Sequence, residues 1–322
     1  MNYWVSIKQK SVRFLYKKAI ALSLLLLGTA LYIGVYQPSL LVNTLNQRDF
    51  EAKKFSAFTI DIDRWNVRYF KTQDWDPKKP VLIFVHGFRS SSSFWLPYLE
   101  HFSDFNHIVL DLPTHGQTSY VRGFSHDLRN YGRFLELFCD ALNLDNLYLI
   151  GTSMGGGAVL SFAGQTSRNI KAIAVSNPLA IMPPKLSIVH EELFKGNNLL
   201  LPKTRSGVQR MQEVVFGRLL NLSLFRSELL YFVMQENRGR FLEAFRQMQD
   251  EGGVDDLLER IDAPVFLIQG DRDKVVDPSC APVEKKLIPN CELFWVNEGP
   301  HVFLGVQLSL VISHMQDFFR QH

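Results

Sequence analysis

Ser153 lies in Gly151-Thr152-Ser153-Met154-Gly155, a G-x-S-x-G pentad set directly after an apolar run at 147–150 and before a helical pattern over 156–164. That strand-turn-helix context makes the spacing chemically meaningful. A serine on so sharp a turn sits in strained backbone geometry, and side chains two residues before and after it would collide, so both positions call for glycine. The helix that starts there brings its positive end close to developing negative charge. The residue types point to a nucleophile. A serine hydroxyl reacts only when a base removes its proton, and an acid must fix the tautomer of that base.

On a sheet that carries such an elbow the chain order is serine, acid, histidine. His301, in Asn297-Glu298-Gly299-Pro300-His301, follows the last strand signal, where the base is needed. The other histidines fit less well. His86, His101, His107, His115 and His126 precede Ser153, His190 lies in an irregular stretch, His314 sits inside a helical pattern and His322 is at the tail. The acid belongs in the loop 270–278, where Asp271, Asp273 and Asp277 all compete. Asp277 reads as a helix cap and Asp271 as a turn residue. For the oxyanion, one donor is expected from the backbone N–H of Met154. A second is expected from the loop His86-Gly87-Phe88, through the Phe88 N–H. His86 is expected to brace that loop, and Asp111-Leu112-Pro113-Thr114-His115-Gly116 to be structural.

The elements that must position these groups follow from the hydropathy pattern. Short apolar runs at 81–85, 108–110, 147–150, 170–175, 265–268 and 292–296 suit strands buried on both faces. Residues 59–63 and 67–70 read as two earlier strands. Helical patterns at 127–142, 156–164 and 306–319 alternate with the runs, which predicts βαβ units and a mostly parallel sheet. Ligands bind at the carboxyl ends of such strands, where the polar and glycine-rich residues fall here.

The alternation fails between 178 and 261, a stretch rich in Leu, Phe, Met and Arg with helical spacing at 209–220 and 229–249. It reads as a helical insertion. Phe194, Leu199, Leu200, Phe216, Phe225, Phe232 and Met234 are its candidates for lining a site.

Residues 19–36 are an uncharged apolar run, preceded by five basic residues and no acid in 1–18. This predicts a transmembrane signal anchor with a cytoplasmic N-terminus, the rest of the chain lying across the membrane in a periplasmic or extracytoplasmic position. A cleaved signal peptide, and hence secretion, is the alternative, with Gly28 and Ala30 near plausible cleavage positions. Residues 37–57 read as a partly helical connector.

The net charge of +3 comes from that N-terminal segment, so the remainder is near neutral and offers no basic surface for nucleic acid. Three cysteines, Cys139, Cys280 and Cys291, show no C-x-x-C spacing, so neither a zinc site nor a redox motif is expected. Cys280 and Cys291 could pair in an oxidising compartment, buried free thiols being the default. No metal or cofactor is expected.

HGF at 86–88, DLPTHGQTS at 111–119, GTSMGGG at 151–157, GDRDKVVDP at 270–278 and GPH at 299–301 resemble α/β-hydrolases of the monoacylglycerol lipase type, including the α/β-hydrolase domain-containing protein 6 group and related bacterial lipases. The resemblance runs from about residue 58 to the end. It implies an eight-stranded sheet, a hydrolase core over 58–177 and 262–322, a helical cap over 178–261, and hydrolysis of lipid-like carboxylic esters. It places the nucleophile on Ser153, the acid on Asp273 and the base on His301. Thr114 stands where relatives often have Gly, and Gly305-Val306 where many carry Glu. Thioester or carbon–carbon bond hydrolysis on the same fold, or non-catalytic ligand binding, are the alternatives. Oligomeric state is left open.

Overall fold

The computed structural model describes residues 37–322 apart from residue 251, with Tyr16, residues 18–20 and 22–23 and Gly28 ahead of them. The basic segment 1–18 and the apolar run 19–36 therefore lie almost wholly outside the described residues. Among the described residues no helix is long and apolar enough to cross a membrane.

Eight strands form one sheet: β1 (Phe55–Ile62), β2 (Trp65–Thr72), β3 (Val81–Val85), β4 (Asn106–Leu110), β5 (Leu147–Thr152), β6 (Ile170–Ser176), β7 (Val265–Gly270) and β8 (Cys291–Val296). Their order across the sheet is β1-β2-β4-β3-β5-β6-β7-β8. β1 and β2 make an antiparallel hairpin and β2 runs antiparallel to β4, while every pair from β4 onward is parallel. The apolar runs are strands because alternate side chains go to opposite faces. Ile83, Val85, Leu149 and Leu267 join one core layer, and Leu82, Phe84, Ile150 and Ile268 join the other.

The first layer is covered by α2 (Leu128–Ala141), α3 (Met154–Ala163) and α9 (Cys280–Leu287). Asp127 opens α2 by accepting the Asn130 N–H at 2.8 Å. The second layer is covered by α10 (Val306–Gln321), through Val311, Met315 and Phe318, and by Phe50 of α1 (Pro38–Ala52), whose ring stacks on Phe70 at 3.8 Å. The connector 37–57 is thus mostly one helix, and β1 starts at Phe55, ahead of the expected start of the core at 58. β1 and β2 pair along their full length and so extend beyond 59–63 and 67–70, except that β1 stops at Ile62, where Asp63 turns with φ 49°; the start of β1 was hidden because most of its residues are half-buried or exposed.

Between β6 and β7 the chain forms α4 (Ile188–Phe194), α5 (Arg205–Phe216), α6 (Leu224–Gln235), α7 (Arg238–Asp250) and the short α8 (Asp255–Leu258). The helical pattern over 229–249 is two helices rather than one. Asn237 takes a left-handed conformation (φ 54°), which asparagine tolerates and a helix interior does not. The three cysteines are free.

Candidate active site

The carboxyl ends of β3, β5, β7 and β8 converge on one cavity of about 290 Å³. Gly87, Phe88, Ser153 and His301 line it together with apolar residues of the insertion, among them Leu200, Val215, Phe216, Leu230 and Met234.

Ser153 has φ 53° and ψ −126°, a conformation that non-glycine residues rarely adopt. Its backbone is held from three sides. The N–H donates to Ser176 O, and the carbonyl accepts from the N–H groups of Gly157 and Leu179, each at 3.0 Å. The flanking glycines are required by contact. A Cβ on Gly155 would come 2.3 Å from His86 O, and one on Gly151 would come 2.7 Å from Gly155 O.

His301 is 5% exposed and its Nδ1 lies 2.7 Å from Asp273 Oδ2. The other Asp273 oxygen accepts the N–H groups of Val275 (2.7 Å) and Val276 (3.1 Å). These bonds orient the carboxylate toward Nδ1, which carries the proton it accepts, and that tautomer leaves Nε2 as the acceptor nitrogen. Of the three candidate aspartates, only Asp273 reaches His301. Asp271 accepts the Gly299 N–H at 3.1 Å, and Asp277 makes a tight turn by accepting the Ser279 N–H at 2.9 Å. The N-cap position of α9 falls on Ser279, whose side chain makes no capping bond, so Asp277 acts two residues before the position expected of it.

Met154 is fully buried at the head of α3, where a helix leaves its first N–H groups without an intrahelical acceptor. Phe88 packs against Phe241 and Phe245 of α7, with ring centroids 5.8 Å apart in both pairs. Buried His86 braces this loop: Leu112 N–H donates to its Nε2 at 3.1 Å, so its Nδ1–H donates to Gly87 O at 2.8 Å. Burial lowers the His86 pKa, which keeps that tautomer neutral despite the nearby Asp111 carboxylate. Asp111 is structural, accepting the N–H groups of Ser92 (2.7 Å) and Gln117 (2.8 Å). Thr114, where relatives often carry Gly, has φ 73°, and its hydroxyl is 2.7 Å from His126 Nε2.

Two further residues were not singled out by their sequence context. Asn177, buried at the end of β6, accepts the Gly270 N–H at 2.8 Å and donates to His301 O at 2.7 Å, joining the loops of the acid and the base. Arg89 follows Phe88 in a left-handed conformation (φ 59°). Its Nη2 donates to Val233 O at 3.0 Å at the carboxyl end of α6, and its guanidinium lies 4.1 Å from the Phe241 ring centre. Burial lowers the Arg89 pKa to about 10, so it stays cationic at neutral pH. The base loop is tied to the insertion as well, through Val302 N–H donating to Val215 O at 2.9 Å.

Of the insertion residues expected to line a site, Leu200, Phe216 and Met234 do so. Leu199 lines a separate cleft within the insertion. Phe194 and Phe225 are mostly exposed, at 78% and 61%, and Phe232 does not line the cavity. Among the described residues there is no group of three or more His, Cys, Asp or Glu side chains placed to hold a metal ion.

Residues 80–305 match the family described as alpha/beta hydrolase fold, and the chain belongs to that family. It is 26% identical over 271 residues to the uncharacterized hydrolase YugF of Bacillus subtilis (strain 168), covering 80% of this chain and 96% of the relative. It is 25% identical over 230 residues to monoacylglycerol lipase abhd6-B of Xenopus laevis, covering 67% and 68%. The fold also superposes on the crystal structure of a membrane phospholipase A described as a bacterial virulence factor. That match has a TM-score of 0.83 and 23% identity, covering 95% of this chain and 98% of the other.

Proposed function

We propose that this protein is a serine hydrolase that cleaves carboxylic esters of lipid-like substrates. Ser153 is the nucleophile, His301 the general base and Asp273 the acid that orients it. The observation that carries the reading is the 2.7 Å bond between His301 Nδ1 and Asp273 Oδ2, with His301 and the strained Ser153 lining one cavity.

In the proposed reaction, His301 Nε2 takes the Ser153 hydroxyl proton as Oγ attacks the ester carbonyl. The Phe88 and Met154 N–H groups receive the negative charge on the carbonyl oxygen. Collapse breaks the bond to the alcohol, which leaves with the proton from His301 and gives an acyl-serine. His301 then deprotonates water, the hydroxide attacks the acyl carbonyl, and the second collapse frees the carboxylic acid and returns the proton to Ser153 Oγ.

The apolar wall of Leu200, Val215, Phe216, Leu230 and Met234 favours an acyl chain, and the helices of 178–261 act as a cap that excludes water. The relatives named as a monoacylglycerol lipase and a membrane phospholipase A point the same way. The apolar run 19–36 with its basic approach supports a membrane anchor that leaves this domain on the far side of the bilayer.

Hydrolysis of an acyl-ester series from short to long chains, with Ser153→Ala as control, tests the reading. The expected result is turnover of medium or long chains that the variant loses almost entirely. Ester turnover at the wild-type rate by Ser153→Ala rejects it.

A further inference from the structure

The loop after β3 passes directly against the nucleophile. A Cβ built on Gly87 would stand 3.1 Å from Ser153 Cβ and 3.6 Å from its Oγ. Gly87, Phe88, Arg89 and Ser90 form a tight turn, closed by the Ser90 N–H donating to Gly87 O at 3.3 Å. Arg89, the third residue of the turn, has φ 59°. Such a position favours glycine or asparagine, and a long side chain there costs backbone strain. The turn itself gives no reason for an arginine. The reason lies where its side chain goes.

The half-buried guanidinium reaches the carboxyl end of α6. Its Nη2 donates to Val233 O at 3.0 Å and its Nη1 to Glu236 O at 3.4 Å. The last carbonyls of a helix lack intrahelical donors and carry the negative end of its dipole, so a cation is well placed there. A planar guanidinium with several N–H groups can hold two carbonyls at once. The same group lies 4.1 Å from the ring centre of Phe241 on α7, and that ring packs edge-on against Phe88. The junction between α6 and α7 is also held from α1, where the Ser39 hydroxyl donates to Glu236 Oε2 at 2.6 Å. One short turn thus touches Ser153 on one side and holds α6 and α7 on the other.

We infer that Arg89 is a positioning residue for the oxyanion hole. It fastens the Phe88 turn to the α6–α7 junction, so that the Phe88 N–H faces the reacting carbonyl only while these two helices are docked. The inference rests on the esterase reading above and gives the cap a part in the chemical step. A cap that only bound the acyl chain could rest on apolar contacts such as those of Leu230 and Met234, with no bond to this turn. The carbonyl oxygen gains its full charge only in the transition state. Loosening the turn therefore costs rate and leaves substrate binding in place.

Arg89→Gly tests this, since glycine accepts the φ of 59° and the side chain alone is lost. The expected result is a fall in kcat of about 10–100-fold, equal for short and long acyl esters, with KM changed by less than about twofold. A trifluoromethyl ketone adds to the Ser153 hydroxyl and leaves an alkoxide in the oxyanion hole. Its affinity is expected to fall by the same factor, while the matching methyl ketone binds as it does to the wild type. Arg89→Lys keeps one charged donor for the same carbonyls and is expected to lose less in kcat. It carries the test by the same criteria should the glycine variant not fold. Unchanged kcat in a folded variant overturns the positioning role and leaves the esterase reading standing. So does a loss of kcat without the loss of ketone affinity. A loss confined to KM or to long chains does the same, and makes Arg89 a support of the acyl wall alone. Absence of Ser153-dependent turnover in the wild type overturns the esterase reading and this inference together.

Discussion

The side-chain amide of Asn177 donates to the main-chain carbonyl of His301 across 2.7 Å, while its oxygen accepts the Gly270 N–H at 2.8 Å. One buried residue thus sets the spacing between the loop that carries Asp273 and the loop that carries His301. Asn177→Leu leaves these groups buried and unpaired, at a cost of about 2–3 kcal/mol. Denaturant melts should show that loss. Steady-state kinetics should show kcat reduced by about 10–100-fold with KM nearly unchanged, since misplacing the base costs rate rather than binding. Wild-type kcat in a folded Asn177→Leu protein would show that the bridge is structural only.

Asp273→Asn keeps the shape of the side chain and an oxygen for the Val275 and Val276 N–H groups. Its amide N–H₂ would face His301 Nδ1 and select the tautomer with the proton on Nε2, which cannot accept from Ser153. A fall in kcat of about 10⁴-fold is expected, the size such a change produces in other triads. Little change in thermal stability is expected. A loss below about tenfold would assign the acid role elsewhere.

Glu284 is fully buried on α9, and burial together with the Asp255 carboxylate pushes its pKa up from 4.5 to about 8. Between those values the folded protein holds a proton that the unfolded chain has released. Stability therefore falls as pH rises through this window, and the loss is complete above it. Glu284→Gln removes the titration. The variant is expected to gain on the wild type from pH 5 to pH 9, by roughly 3–5 kcal/mol at the upper end. Melting temperatures measured across that range provide the check, and a constant difference would contradict the burial argument.

Val215 lines the apolar cavity from α5, and its carbonyl, which holds Val302, survives substitution. Val215→Trp should fill the space meant for the acyl chain. The expected outcome is a shift in preference toward short-chain esters of at least about tenfold in the ratio of kcat/KM values. An unaltered chain-length profile would place the acyl chain elsewhere.

The elbow and the strands were legible because their rules are local. G-x-S-x-G works through contacts among residues 151–157 and the strand beside them, and runs such as 81–85 carry the two-sided burial of a parallel strand in their composition. His301 was legible from its place after the last strand. Choosing Asp273 among three aspartates needed the family pattern, because it is the folding of a loop 28 residues away that brings His301 to Asp273 and leaves Asp271 and Asp277 with backbone N–H groups.

Long-range polar pairing left little trace. Asn177 looks like ordinary punctuation at the end of a strand, yet it bonds a residue 124 positions away. Ser39 and Glu236 are 197 positions apart. The break between α6 and α7 was hidden because the apolar spacing runs through it and a single left-handed asparagine makes the turn.

The most direct test of the central claim is covalent. A fluorophosphonate probe reacts with a serine whose proton is drawn away by a neighbouring base. Intact-mass and peptide analysis of the treated protein should show one adduct, on Ser153. That adduct should vanish in Ser153→Ala and form far more slowly in His301→Ala. An unlabelled wild-type protein, or a label on any other residue, would contradict the assignment.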